Sequence, residues 1–458
     1  MPIKIKHPRW HERTQRRVCF AAFLGLGLLP TLITAGWCFL RHSPGKETFA
    51  ARRLQQELGL GVQLEKFVYV RPGVVRYEGL KLFEPESHRL LLQCRQMEVC
   101  RRDDQKSSQR PQLELFVEGL VIEAETLESC RRWLQYVLEN RLPLSEVDLH
   151  LSAAEACLRS GRERLHLYKI SGELKYLPVG VQAQFSFYPS ENSTSDPAKL
   201  RLLRDRRTQP ISTLCELYTG GSDWPCRRLG VGLPLLQALG NQAHFRGYFW
   251  GTETPSGWEG DLAGRVSNLD LGALADNFLP YQISGFGELT IHRARFRQGR
   301  LQEGSGTLIA GPGKIDRTLL AAAAEQLGLY ATEPTLLRPV NPALDDRQVP
   351  FRQLAFSVGL SVEGIQLIGQ CREAAPGTIL VGENQALLLA SQPRTYPVTR
   401  LVQILSPSGA NPASSISRQG DWLLRHLPLP EAAHPRLPEA ILPTAKHSRP
   451  EVPEVHQR

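Results

Sequence analysis

The stretch GVQLEKFVYVRPGVVRYEGLKLFEPES, residues 61–87, alternates apolar and charged side chains and is cut by Pro72-Gly73 and Glu78-Gly79. A period of two places every second side chain on one face of an extended chain, and the breaks are turn chemistry. The spacing predicts strands in which Val62 and Leu64 oppose Gln63 and Glu65, while Val74, Arg76 and Glu78 share a face. The pattern recurs over 89–100, 112–125 and 145–177 as successive hairpins, and restarts near Asn241. It is clearest over 353–370, where Leu354, Phe356, Val358, Leu360 and Val362 alternate with Ala355, Ser357, Gly359 and Ser361 before Glu363-Gly364 turns the chain into Ile365 and Leu367. No repeat has a fixed length, only the order strand, glycine turn, strand. Helical spacing is rare. It predicts a short helix with Phe49, Ala50, Leu54 and Leu58 on one side, ending at Gly59. It predicts a second within 126–143, and a third from an Asp316 N-cap to Gly328.

One segment has neither pattern. Val18 to Leu40 is an uncharged run of 23 residues between Arg17 and Arg41, long enough as a helix to cross a hydrocarbon core of about 30 Å. We read it as one transmembrane helix, a retained signal-anchor. A cleaved signal peptide is the rival, since Thr34, Ala35 and Gly36 loosely resemble a cleavage site. Six Lys and Arg residues precede the run against the single acid Glu12, which directs this end to the cytoplasm and exports the rest. That leader also supplies +5 of the net charge of +9. The small excess left on the exported part excludes nucleic acid as a partner.

The tail from Ser406 to 458 is rich in Pro, Ser and Ala, with seven prolines in the last 31 residues, and reads as a disordered extension. Seven of the nine cysteines lie outside the apolar run. Cys215 and Cys226, flanking YTGGSDWP, are the candidate disulfide, with buried free thiols as the alternative. The run RLLRDRR offers Arg201, Arg204, Arg206 and Arg207 as either a solvated face or a contact for anionic headgroups. Motifs that suggest catalysis are incomplete. GPGK (311–314) has Leu308 where a phosphate loop needs glycine and Ile315 where it needs Ser or Thr. GFG (285–287) lacks a third glycine, Ser305 lacks the frame of a nucleophile elbow, and the histidines have no ligand spacing. The reading is therefore no enzyme, no metal and no cofactor.

A basic leader, one N-terminal helix and the run from Arg52 to Val99 together resemble the start of the bacterial AsmA-like proteins, relatives of TamB. The resemblance rests on Leu58-Gly59, the strand Val62 to Val70, Gly73, Gly79-Leu80, the turn Glu84 to Ser87 and the strand Leu90 to Val99. The segments 283–308 and 351–370 are similar to the family's C-terminal strands. It implies a mainly β (α+β) fold: a single transmembrane helix, then a long, curved, largely antiparallel sheet forming a taco-like groove, with a few short helices. The expected units are a cytoplasmic leader (1–17), the membrane helix (18–40), an N-terminal β domain (41–188) with a helix near 126–140, an irregular connection (189–240), a C-terminal β domain (241–405) with a helix near 316–328, and the tail (406–458). The resemblance also implies an inner-membrane protein with a periplasmic bulk that handles phospholipid or serves outer-membrane biogenesis, among envelope partners. Val62, Leu64, Val68, Val70, Leu354, Phe356, Val358, Leu360 and Val362 are then expected to line the groove. The alternative is a scaffolding protein in which the same residues fill a sealed core.

Overall fold

The computed structural model describes residues 12–41, 45–84, 87–102, 111–123, 147–161, 163–207, 211–229, 239–254, 257–279, 281–298, 300–337, 347–390 and 394–405. The expected helix within 126–143 and the tail lie outside them. The N-terminal rod is α1 (Glu12–Phe23), a π-helical turn (Leu24–Leu28) and α2 (Leu29–Arg41). The π turn comes just before Pro30, whose missing N–H and ring interrupt a regular ladder. Thr31 and Thr34 return their hydroxyls to the carbonyls of Gly27 and Pro30 at 2.6 and 2.7 Å. Glu12–Gly36 is long and apolar enough to cross a membrane, with a mean hydropathy of 2.1, and its most apolar stretch is not buried.

Next comes α3 (Lys46–Leu58), closed by Gly59 at φ 64°, a left-handed position open to glycine at little cost. Its packed stripe is Ala50, Leu54 and Leu58. Phe49 was expected on that side but is 71% exposed. The stripe follows i, i+4, i+8, and Phe49 lies one residue, about 100° of helix, away from it.

The rest of the chain is dominated by a sheet of 22 strands among the described residues. It starts with β1 (Gly61–Gln63) and β2 (Lys66–Arg71), both against β3 (Val74–Phe83). It continues through β4 (Leu90–Arg102), the bent pair β5 (Gln112–Glu118) and β6 (Leu120–Glu123), β7 (Asp148–Ser160), β8 (Glu163–Leu177), β9 (Gly180–Tyr188), β10 (Ala198–Asp205) and β11 (Ser212–Tyr218). Each neighbours the next, all antiparallel except β7, which returns parallel to β5 and β6. Strands β10 and β11 fall within 189–240, expected as an irregular connection. Arginines interrupt the alternation of β10, yet both strands pair along their full length and carry the sheet onward.

The short β12 (Trp224–Pro225) and α4 (Cys226–Leu229) lead to β13 (His244–Thr254) and β14 (Gly257–Asp270), then α5 (Leu271–Phe278), capped by the Asp270 carboxylate. After β15 (Ile283–Ser284) come β16 (Phe286–Arg297), β17 (Arg300–Ala310) and β18 (Gly313–Asp316). Helix α6 (Arg317–Leu327) is capped as expected: Asp316 accepts from the Thr318 N–H at 2.9 Å, and Gly328 closes it at φ 58°. Then follow β19 (Tyr330–Ala331), a 3₁₀ turn (Pro334–Leu337), β20 (Gln348–Phe351), β21 (Gln353–Ser361), β22 (Gly364–Gly369), β23 (Thr378–Val381), β24 (Ala386–Leu389), β25 (Thr395–Tyr396) and α7 (Val398–Leu405). β17 pairs with β21, continuing the large sheet, while β15, β18 and β20 form a separate small sheet.

Gly79 is not a turn. It lies inside β3 at φ 64°, and a Cβ there would overlap the Glu65 carboxylate. Gly119 does the same between β5 and β6, and Lys169 and Asn268 take positive φ where β8 and β14 slip register. Such irregularities bend a strand and increase its twist. Each lets residues three apart turn inward: Tyr77 and Leu80 flank Gly79, and Val117 and Leu120 flank Gly119.

Candidate functional site

Side chains directly opposite each other in a sheet lie on the same face. Following the pairs from strand to strand therefore traces a row across the sheet. Starting from Tyr69, the partners are Val75, Val99, Leu115, Leu151, Gly172, Phe185 and Leu200. The row goes on through Leu217, Phe249, Leu262, Ala294, Gly304, Leu360 and Ile365. Every member is apolar or glycine. At about 4.8 Å per strand this file runs about 65 Å along the sheet.

A second apolar row lies beside it, two residues along each strand: Leu149, Leu174, Ala183, Leu202 and Cys215 in turn, reaching Gly251. The opposite face differs. One residue off the file, consecutive partners are Glu114, His150, Glu173, Gln184, Arg201 and Glu216. Ion pairs hold that face, Arg76 to Glu98 at 2.8 Å, Arg102 to Glu114 at 2.8 Å and Arg293 to Asp261 at 3.1 Å. One side of the sheet is thus apolar along the file, while the other mixes ion pairs and polar side chains with exposed aromatics at Phe116, Tyr218, Tyr248 and Trp250.

Coverage of the apolar face changes along the sheet. From β2 to β14 the file is mostly half-buried, with Tyr69 still 47% exposed. There α3 lies against β1 and β2, and Trp224 covers Leu165 and Ala198 with its ring edge-on to Phe187 at 5.6 Å. Beyond β14 a second layer closes over the face. Val266, Leu269, Ala310, Leu354 and Leu380 of the sheet pack with Leu271 of α5, Leu320 and Ala324 of α6, and Ile315, Val349 and Phe351 of the small sheet. Val358 and Leu360 are covered by Leu327 of α6 and Leu401 and Ile404 of α7.

The residues singled out in the sequence fall into three places. Val62 and Leu64 pack on the apolar side with Leu80 and Leu92. Val68 pairs with Arg76 on the charged face, and Val70 is 43% exposed. The phase slips between β1 and β2 at Leu64-Glu65, and a slip of one residue sends each later side chain to the other face. Phe67 and Tyr69 take the inward places instead. Leu354, Phe356, Val358 and Leu360 point inward but lie under the second layer, and Val362 at the hairpin tip is 53% exposed.

The arginines do not form one cluster. Arg201 is on the charged face with Glu216 at 3.1 Å, Arg204 sits at the margin of the apolar face and donates to Thr213 at 2.7 Å, Arg206 follows β10, and Arg207 pairs with Asp205 at 3.6 Å. Cys215 and Cys226 correct the disulfide reading: both are free thiols. Cys215 belongs beside Leu200 and Leu202, whereas Cys226 is part of the C-terminal core, so the turn between them does not bring them together. Burial pushes both thiols up to about 11. Ser305 is in β17 opposite Gly359. No family model matches the chain and no curated protein is similar to it in sequence.

What the sequence reading missed is the file itself. Leu115 and Phe249 sit in runs that read as strands, whereas Leu200 and Leu217 lie in 189–240, which reads as an irregular connection. Their joining into one row depends on register, which the connections and bulges decide.

Proposed function

We propose that this is a membrane-anchored envelope protein of the AsmA-like type, in which the apolar face from β2 to β14 is a track for phospholipid acyl chains. One observation carries the reading: an unbroken apolar file, mostly half-buried over about 50 Å, on a sheet whose other face carries the ion pairs. Acyl chains laid on it gain about 0.8 kcal/mol per methylene removed from water while headgroups stay wet at the margin. In this reading the rod Glu12–Arg41 spans the inner membrane with its basic end in the cytoplasm, and the sheet stands in the periplasm. The scaffolding alternative draws support from one place, the sealed layer over β16 to β24, and describes that half.

Native mass spectrometry of the full chain released from membranes tests the track. The wild type is expected to hold phospholipid that Leu200→Asp with Leu217→Asp loses several-fold, while Tyr248→Asp on the opposite face retains it. Equal lipid in all three forms contradicts the track and favours a scaffold.

A further inference from the structure

Phe49 is the anomaly in the part of the fold nearest the apolar rod. On α3 it shares an exposed face with Arg52, Arg53 and Gln56, at i, i+3, i+4 and i+7, with Arg53 on the side nearer Tyr69 and Tyr77. The opposite stripe is already fixed against Leu60 and Leu80, so the helix cannot roll to bury the ring. Arg53 is braced by Glu57 at 2.9 Å, and Arg52 is exposed.

Chain connectivity says what lies opposite. Arg41 ends the rod and Lys46 begins α3, so even a fully extended link holds the two within about 18 Å. Phe49 is one turn further, about 4.5 Å of rise. A headgroup zone is on the order of 5 to 8 Å deep beyond the hydrocarbon. If the rod spans, α3 starts within about 18 Å of the membrane-side end of that zone, a tether short enough for Phe49 to reach it. An aromatic ring flanked by guanidinium groups suits the zone, since the ring enters the acyl boundary and the cations meet phosphates.

We infer that the exposed flank of α3 is a bilayer-contact site, with Phe49 inserted and Arg52 and Arg53 on anionic headgroups. This rests on the anchored reading above. The contact sets the first rung of the apolar file, Tyr69 and Val75, beside the membrane surface, because α3 packs against β2.

The test uses the full chain in liposomes of phosphatidylglycerol and phosphatidylcholine, with photoreactive benzoylphenylalanine at position 49 or, as a control on the charged face, at 248. Alkaline carbonate extraction reports the anchor separately. The expected result is a chain retained in the vesicles, with lipid adducts at 49 several-fold above those at 248. Arg52→Glu should cut the adducts at 49 several-fold in these vesicles but not in pure phosphatidylcholine. Retention without excess adducts at 49 overturns the contact and leaves the anchor standing. Loss of the chain on extraction overturns the anchor and the contact with it. An equal effect of Arg52→Glu in neutral vesicles overturns the role assigned to charge.

Discussion

The sheet from β2 to β11 and the sheet from β16 to β24 present the same chemistry on the same face, yet only the second is covered by a layer of several helices and a small sheet. Phe185 and Leu200 in the first region are half-buried neighbours of Cys215. Leu308 and Phe356 in the second face α5, α6 and the small sheet. The difference does not lie in the strands, whose alternation is alike. It lies in what the connections carry: one of them holds β18 and the Ala-rich α6, and the link from β14 to β16 holds α5. Alternation therefore fixes which face is apolar, while inserted elements decide whether that face is a core or a surface.

The largest expected effect comes from placing one charge in each region. Leu354→Asp buries an unpaired carboxylate under the second layer and should cost more than about 3 kcal/mol in urea unfolding. Leu200→Asp, with water at hand, should cost about 1 kcal/mol. Equal losses would break the comparison. Next in size is Asp316→Ala. Asp316 is fully buried, accepts from Thr318 and from Arg347 at 3.2 Å, and joins the small sheet to α6. About 2 kcal/mol should be lost. Hydrogen exchange should speed up in β18 and α6 but not in β7 to β9, and a spread into β7 to β9 would mean the two regions unfold as one.

Two thiols sharpen the contrast. Burial holds Cys215 and Cys226 in the neutral form up to about 11, so at pH 8 the thiolate fraction is on the order of 10⁻³ and alkylation is slow at both. Between pH 8 and 10 the rate should rise about tenfold per unit at half-buried Cys215. Cys226, with no exposed surface, should stay protected until the second region unfolds. Because these folded pKa values lie above the ordinary 9.0, their contribution to stability is complete below about pH 9 and falls as pH climbs towards 11. Equal alkylation of the two would contradict a roof over only one region. The smallest effect belongs to Val68→Thr on the charged face, within about 0.5 kcal/mol and with bound lipid unchanged.

Much of this was legible in the sequence. The period of two gave the strands, Asp316 and Gly328 bounded α6, and Gly59 ended α3. Three things were not. Leu64-Glu65 shifts phase without any turn residue, so Val68 and Val70 look like a continuation of Val62 and Leu64 but land on the other face or at the hairpin end. Glu78-Gly79 reads as a turn, yet the glycine serves as a mid-strand irregularity under Glu65. The roof over Leu354 to Leu360 comes from residues of α6, α7 and the small sheet, at positions that no local pattern ties to β21.

The central claim is that one face of the sheet carries lipid, and β10 tests it residue by residue. With the photoreactive side chain placed in turn at Lys199, Leu200 and Arg201 of the full chain in proteoliposomes, lipid adducts should appear at Leu200 and be several-fold weaker at Lys199 and Arg201. Adducts absent from all three positions, or equal at all three, would contradict it.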